Sequence, residues 1–150
     1  MKLEVKYGLL ITVGLIAWTV VAHLLVRDPC SALHTLGPLV FFNVLEFAGI
    51  YLGESARKRD NGNQLQFKAG LKTGIGIAVV YGISSCLFFL ALLAVVGSGL
   101  LCLDPAIRAL PLWKVAAFSF VAQFCGALIL GLVYSVIIAF ILASRRRVSA

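Results

Sequence analysis

The sequence predicts an all-α membrane protein of four transmembrane helices, a single domain over residues 1–150 with both termini in the cytoplasm. Three observations predict it. The chain is 61% hydrophobic and only 13% charged, with a mean hydropathy of +1.04, outside the usage of soluble domains. It contains four apolar stretches, each long enough to cross a hydrocarbon core about 30 Å thick at about 1.5 Å rise per residue. Its cations fall between those stretches and favour one side. Lys2, Lys6, Arg57, Lys58, Arg59, Lys68, Lys72, Arg145, Arg146 and Arg147 share it, whereas Arg27, Arg108 and Lys114 take the other. The positive-inside rule assigns the richer side to the cytoplasm.

The first span is expected over 7–26, stopped by Arg27, Asp28 and Pro29. It is longer than a signal-peptide core and has no small-residue exit, so it reads as a retained helix. The second is expected over 33–53, with Pro38 near its outer end and Asn43 and Glu46 inside it. The third is expected over 73–96, ended by Gly97-Ser98-Gly99, because the uncharged run to Leu103 exceeds one crossing. The fourth is expected over 115–143, with Trp113 at its outer interface and Arg145 to Arg147 holding its inner end. Lys6-Tyr7-Gly8-Leu9 and Lys68-Ala69-Gly70-Leu71 open the first and third spans alike, a short echo compatible with two tandem helical hairpins.

Helices in lipid associate through close backbone approach and interhelical hydrogen bonds. Small residues four apart therefore mark contact faces: Gly49 with Gly53, Gly70 with Gly74, Ala78 with Gly82, Ala122 with Gly126, and Ala127 with Gly131. These faces suit packing within the chain, a homodimer or a partner. Cys30 and Cys102 belong to the two outer loops, where an oxidising compartment would allow a disulfide, whereas Cys86 and Cys125 read as small packing residues inside spans.

Glu46 reads as the acidic residue inside a span, and an intramembrane carboxyl is a functional-site hypothesis by default. Asn43 lies three residues earlier on the same helical face, and Gln123, Tyr81, Ser84 and Ser85 are candidate polar partners. A proton site, a cation site and a purely structural hydrogen-bonded glutamate all fit that pattern. Small four-span multidrug exporters also use an embedded glutamate, but in the first span. His23 and His34 lack the spacing of a metal or haem pair. No nucleophile with its base, phosphate loop, dinucleotide fingerprint or metalloprotease helix occurs, so no enzymatic activity is expected. The sequence predicts no cofactor and no metal site; pigment, haem or quinone contact has no support in it. The net charge of +7 resides at span ends and is not interleaved with aromatics, which argues against nucleic acid.

The segment from Glu54 to Leu71 is the most distinctive. A helix is expected to continue through Arg59. Asp60-Asn61-Gly62-Asn63 then supplies a turn, and Leu65 with Phe67 is expected to dock at the interface before Gly70 opens the next span. Arg57, Lys58, Arg59, Lys68 and Lys72 would face lipid headgroups or a partner, each cation contributing about 1 kcal/mol near an anionic surface. With Lys6-Tyr7-Gly8-Leu9, this segment resembles a family of uncharacterised small four-span bacterial membrane proteins, a domain of unknown function. The resemblance implies a bacterial inner membrane and supplies no activity and no site residues. Taken together, the sequence favours a non-enzymatic accessory or assembly subunit packing against other membrane subunits or itself. The alternative is a small oligomeric proton-coupled transporter or channel-like protein using Glu46.

Overall fold

A chain surrounded by hydrocarbon must pair its backbone polar groups internally, and a helix does so within each segment. The computed structural model describes residues 2–25, 32–96 and 110–144, with side chains described over 2–25, 37–95 and 110–143. Four helices occupy them: α1 (Leu3–Leu25), α2 (Ala32–Asp60), α3 (Phe67–Val96) and α4 (Leu112–Ser144). Each contains a stretch long and apolar enough to cross a membrane. The protein is therefore all-α among its described residues and a multi-pass membrane protein.

The helices outrun the apolar runs that announce them. α2 continues through Glu54 and the basic cluster to Asp60, and α3 starts at Phe67, before the apolar run from Thr73. With 33 residues, α4 is about 50 Å long, so it tilts or protrudes from a core about 30 Å thick. The Asn-Gly turn between α2 and α3 forms where the sequence places it. The Asn61 and Gly62 amides donate to the Arg57 and Arg59 carbonyls, and Gly62 and Asn63 take the left-handed conformation with φ of 65° and 64°, which glycine and asparagine tolerate best. The docking of Leu65 differs from expectation. Leu65 is 1% exposed and belongs to the bundle core, while Phe67 remains exposed. Leu65 lies against Gly70, which closes the first turn of α3.

α3 is central, packing against α1, α2 and α4, and its interface with α4 is the broadest. α1 contributes Gly8, Ile11, Thr12, Leu15 and Ala22 to the interior, the three- and four-residue spacing of one helical face. The Thr12 and Ser84 hydroxyls, 2.6 Å apart, join α1 to α3. Trp18 stacks on Phe41 with ring centroids 4.5 Å apart, joining α1 to α2. Ile50, Ile77 and Ile138 are fully enclosed where α2, α3 and α4 meet. Outward faces are rich in leucine, valine and phenylalanine, as a lipid-facing surface requires.

The antiparallel arrangement brings the cations to one end. The α1 start lies beside the far end of α2, since Tyr7 borders Gly53, and the start of α3 lies beside the end of α4, since Gly70 borders Ala139. Lys2, Lys6, Arg57, Lys58, Arg59, Lys68 and Lys72 thus share one end of the bundle, and among the described residues Lys114 alone stands at the other.

Candidate functional site

One row of α2 points Glu46, Ile50 and Glu54 into the bundle, at intervals of four residues. Their exposures are 2%, 0% and 0%. The two carboxyls are about 12 Å apart along the helix. Glu54 is thus a second interior carboxyl, which corrects the expectation that Glu46 alone lies inside a span. The physical reason is the length of α2, which carries Glu54 two turns past Glu46 and back onto the same face.

Both carboxyls rest on small residues. At Glu54 the surface is α3: a Cβ placed on Gly70 would stand 3.1 Å from Oε2, and one on Gly74 would collide with Oε1 and with Ser135 of α4. At Glu46 the surface is α4, where a Cβ on Gly131 would stand 3.0 Å from Oε1 and would collide with Ala78 of α3. Glycine is required at Gly74 and Gly131 because backbone and carboxyl approach too closely for any side chain between them. The Gly70–Gly74, Ala78–Gly82 and Ala127–Gly131 pairs therefore serve packing within the chain. Gly49 and Gly53 do so as well, against Ile11 and Ile77.

The polar groups around these carboxyls are mostly engaged elsewhere. Tyr134 donates to Asn43 Oδ1 at 2.6 Å, and Asn43 in turn donates to the Leu39 carbonyl. Ser135 donates to the Gly131 carbonyl at 2.5 Å. Lys58, one turn beyond Glu54, instead reaches the Leu142 carbonyl at 3.1 Å, where a cation also suits the negative end of α4. Among the described residues, Glu46 Oε1 and both oxygens of Glu54 have no hydrogen-bond partner. Such groups are rare in folded interiors and each calls for a reason.

The expected site residues are only partly assembled. Asn43 and Glu46 share α2, and Glu46 lies within electrostatic reach of Tyr81 and Tyr134. Gln123 is half-buried on α4 but about 12 Å along the helix from Gly131, the residue facing Glu46, so it does not belong to the cluster. Tyr134, outside the expected set, is the partner of Asn43. Ser84 pairs with Thr12, and Ser85 donates to the Gly82 carbonyl, so neither faces Glu46. Arg57, Arg59, Lys68 and Lys72 are exposed as a surface-facing loop requires, whereas Lys58 is half-buried through its bond to α4. Cys86 is buried and Cys125 exposed; Cys30, Cys102 and the His34 side chain lie outside the described residues. His23 is exposed on α1.

A family profile described as "Protein of unknown function (DUF4199)" matches residues 6–101. The chain belongs to the DUF4199 family. No curated protein and no solved structure matches it. The match spans α1, α2 and α3, so this DUF4199 member carries both interior carboxyls and the glycines beneath Glu54 within the family region. The α4 groups opposite them, Gly131, Tyr134 and Ser135, lie beyond it.

Proposed function

We propose that this DUF4199 member is a non-enzymatic accessory or assembly subunit of the bacterial inner membrane, with both termini cytoplasmic, that packs against a second membrane chain through the outer face of α4. The observation that carries this reading is the Ala122–Gly126 face. Ala122 and Cys125 are exposed, and a Cβ on Gly126 would meet nothing within 4 Å. The other small pairs are covered by this chain's own helices. A small, open strip on an apolar helix allows the close backbone approach on which helix association in lipid relies. The cation-rich end of the bundle supports the orientation, since that end faces the cytoplasm under the positive-inside rule.

Mild-detergent purification followed by native mass spectrometry tests the reading. An unlike chain is expected at fixed stoichiometry, and Gly126→Leu is expected to release it while leaving the bundle folded. Recovery of a bare monomer, or an assembly unaffected by Gly126→Leu, would sink it. A second reading, a small oligomeric proton-coupled transporter, is favoured by the burial of Glu46 with an unpartnered oxygen. It predicts a homo-oligomer and a proton-linked flux that Glu46→Gln abolishes.

A further inference from the structure

Glu54 occupies an unusual position even beside Glu46. Its side chain is fully enclosed, and among the described residues both oxygens lack partners and no cation is in ion-pair contact with it. Its surroundings can be taken element by element. On α2, Lys58 is engaged with α4, Arg57 and Arg59 are exposed, and Glu46 lies two turns away. On α1, Tyr7 borders Gly53 and Glu4 lies against Gly76, with Lys6 exposed beside them. On α3, Thr73 is buried beside Gly74, and Lys68 and Lys72 are exposed. On α4, Ser135 shares with Glu54 the point above Gly74, and Tyr134 is bonded to Asn43.

The hydrogen-bond inventory of Ser135 determines what ligand suits this place. Its one hydroxyl proton goes to the Gly131 carbonyl, so its oxygen, which flanks with Glu54 Oε1 the point above Gly74, can only accept. An acceptor matches a carboxyl that holds a proton and donates it. It offers nothing to a bare carboxylate. A metal ion would need several oxygens, and among the described residues no group of three metal-ligating side chains gathers.

We propose that Glu54 is an intramembrane proton-binding site, loaded and unloaded through the cation-rich end of the bundle. In the loaded form the carboxyl O–H turns to Ser135 Oγ. On release the O–H bond breaks, the proton passes to water at that end, and the electron pair stays on the carboxylate. Lys58, one turn away, then exchanges the Leu142 carbonyl for the carboxylate. Proton release thereby loosens the tie between the ends of α2 and α4. The ligand is a proton, and the site is separate from the α4 face assigned to association.

The test uses the full chain in lipid nanodiscs and dicyclohexylcarbodiimide, a lipid-soluble reagent that modifies protonated carboxyls, with modified residues located by peptide mass spectrometry. Glu54 is expected to be labelled, with labelling progressively lost as pH rises and unchanged when sodium chloride replaces potassium chloride. Ser135→Ala is expected to lower labelling at fixed pH by removing the acceptor. Lys58→Met is expected to prolong labelling to higher pH by removing the cation that meets the anion. Labelling that is absent from the folded protein, indifferent to pH, or suppressed by sodium overturns the proposal. Labelling indifferent to both substitutions overturns it too. These readouts require neither a partner chain nor transport, so their failure is distinct from that of the association reading.

Discussion

Gly74→Leu is expected to abolish the folded bundle: little monodisperse protein in detergent, and a transition in stepwise denaturation by sodium dodecyl sulfate shifted far below that of the wild type. The first atom of the new side chain already collides with Ser135 and Glu54. Neither can withdraw easily, because Ser135 and Glu54 are both fully buried and Glu54 also lies against Gly70. Overpacking a dense core costs about 1–3 kcal/mol even where side chains can shift. Here α2, α3 and α4 would all have to separate, and in lipid the close packing so lost is a main source of association. Gly126→Leu is the internal control, since that position opens outward.

Glu46→Lys is expected to be nearly as damaging, and Glu46→Gln close to neutral for folding. Lysine at a span centre is disfavoured by about 2.5–3.5 kcal/mol on insertion scales. The Glu46 site makes it worse, because Gly131 and Ala78 leave no volume for a longer side chain and the nearest interior carboxyl, Glu54, is two turns away. Glutamine keeps the shape and has polar atoms that can find Tyr81 or backbone groups. Thermal unfolding of the two variants in detergent, monitored by helical circular dichroism, measures the contrast. Equal stability of both would mean that position 46 faces water or headgroups.

Much of this fold was legible in the sequence, because the rules that govern chains in lipid act on length and charge. The four helices, the Asn61–Asn63 turn and the gathering of the described cations at one end all follow from such rules, and the DUF4199 match bears out the resemblance carried by Lys6 to Leu9 and Glu54 to Leu71. Four of the five small-residue pairs mark contact faces within the chain, Ala122–Gly126 being the open one, since glycine and alanine leave few other purposes in an apolar helix. The site was less legible. Glu54 precedes Arg57-Lys58-Arg59, and a carboxylate beside cations reads as headgroup-level even when the helix carries it inward. The clue was its spacing of eight from Glu46, which places both on one face. The registry of α4 was hidden for a different reason: the helix is apolar all round, so nothing in its pattern distinguishes the Tyr134–Ser135 face from the Gln123 level. Gln123 stands out as a candidate partner for Glu46 because an amide is conspicuous in such a sequence, whereas nothing in the pattern singles out Tyr134.

The central claim is that α2 turns Glu54 into the bundle. Cysteine accessibility tests it most directly. In a background with the four native cysteines replaced by serine, Glu54→Cys and Asn61→Cys are each treated with a water-soluble maleimide in open membrane fragments. Position 61 is exposed in the turn and is expected to react rapidly, whereas position 54 is expected to stay unmodified until the protein is denatured. Equal reaction of the two positions in the native membrane would contradict the account.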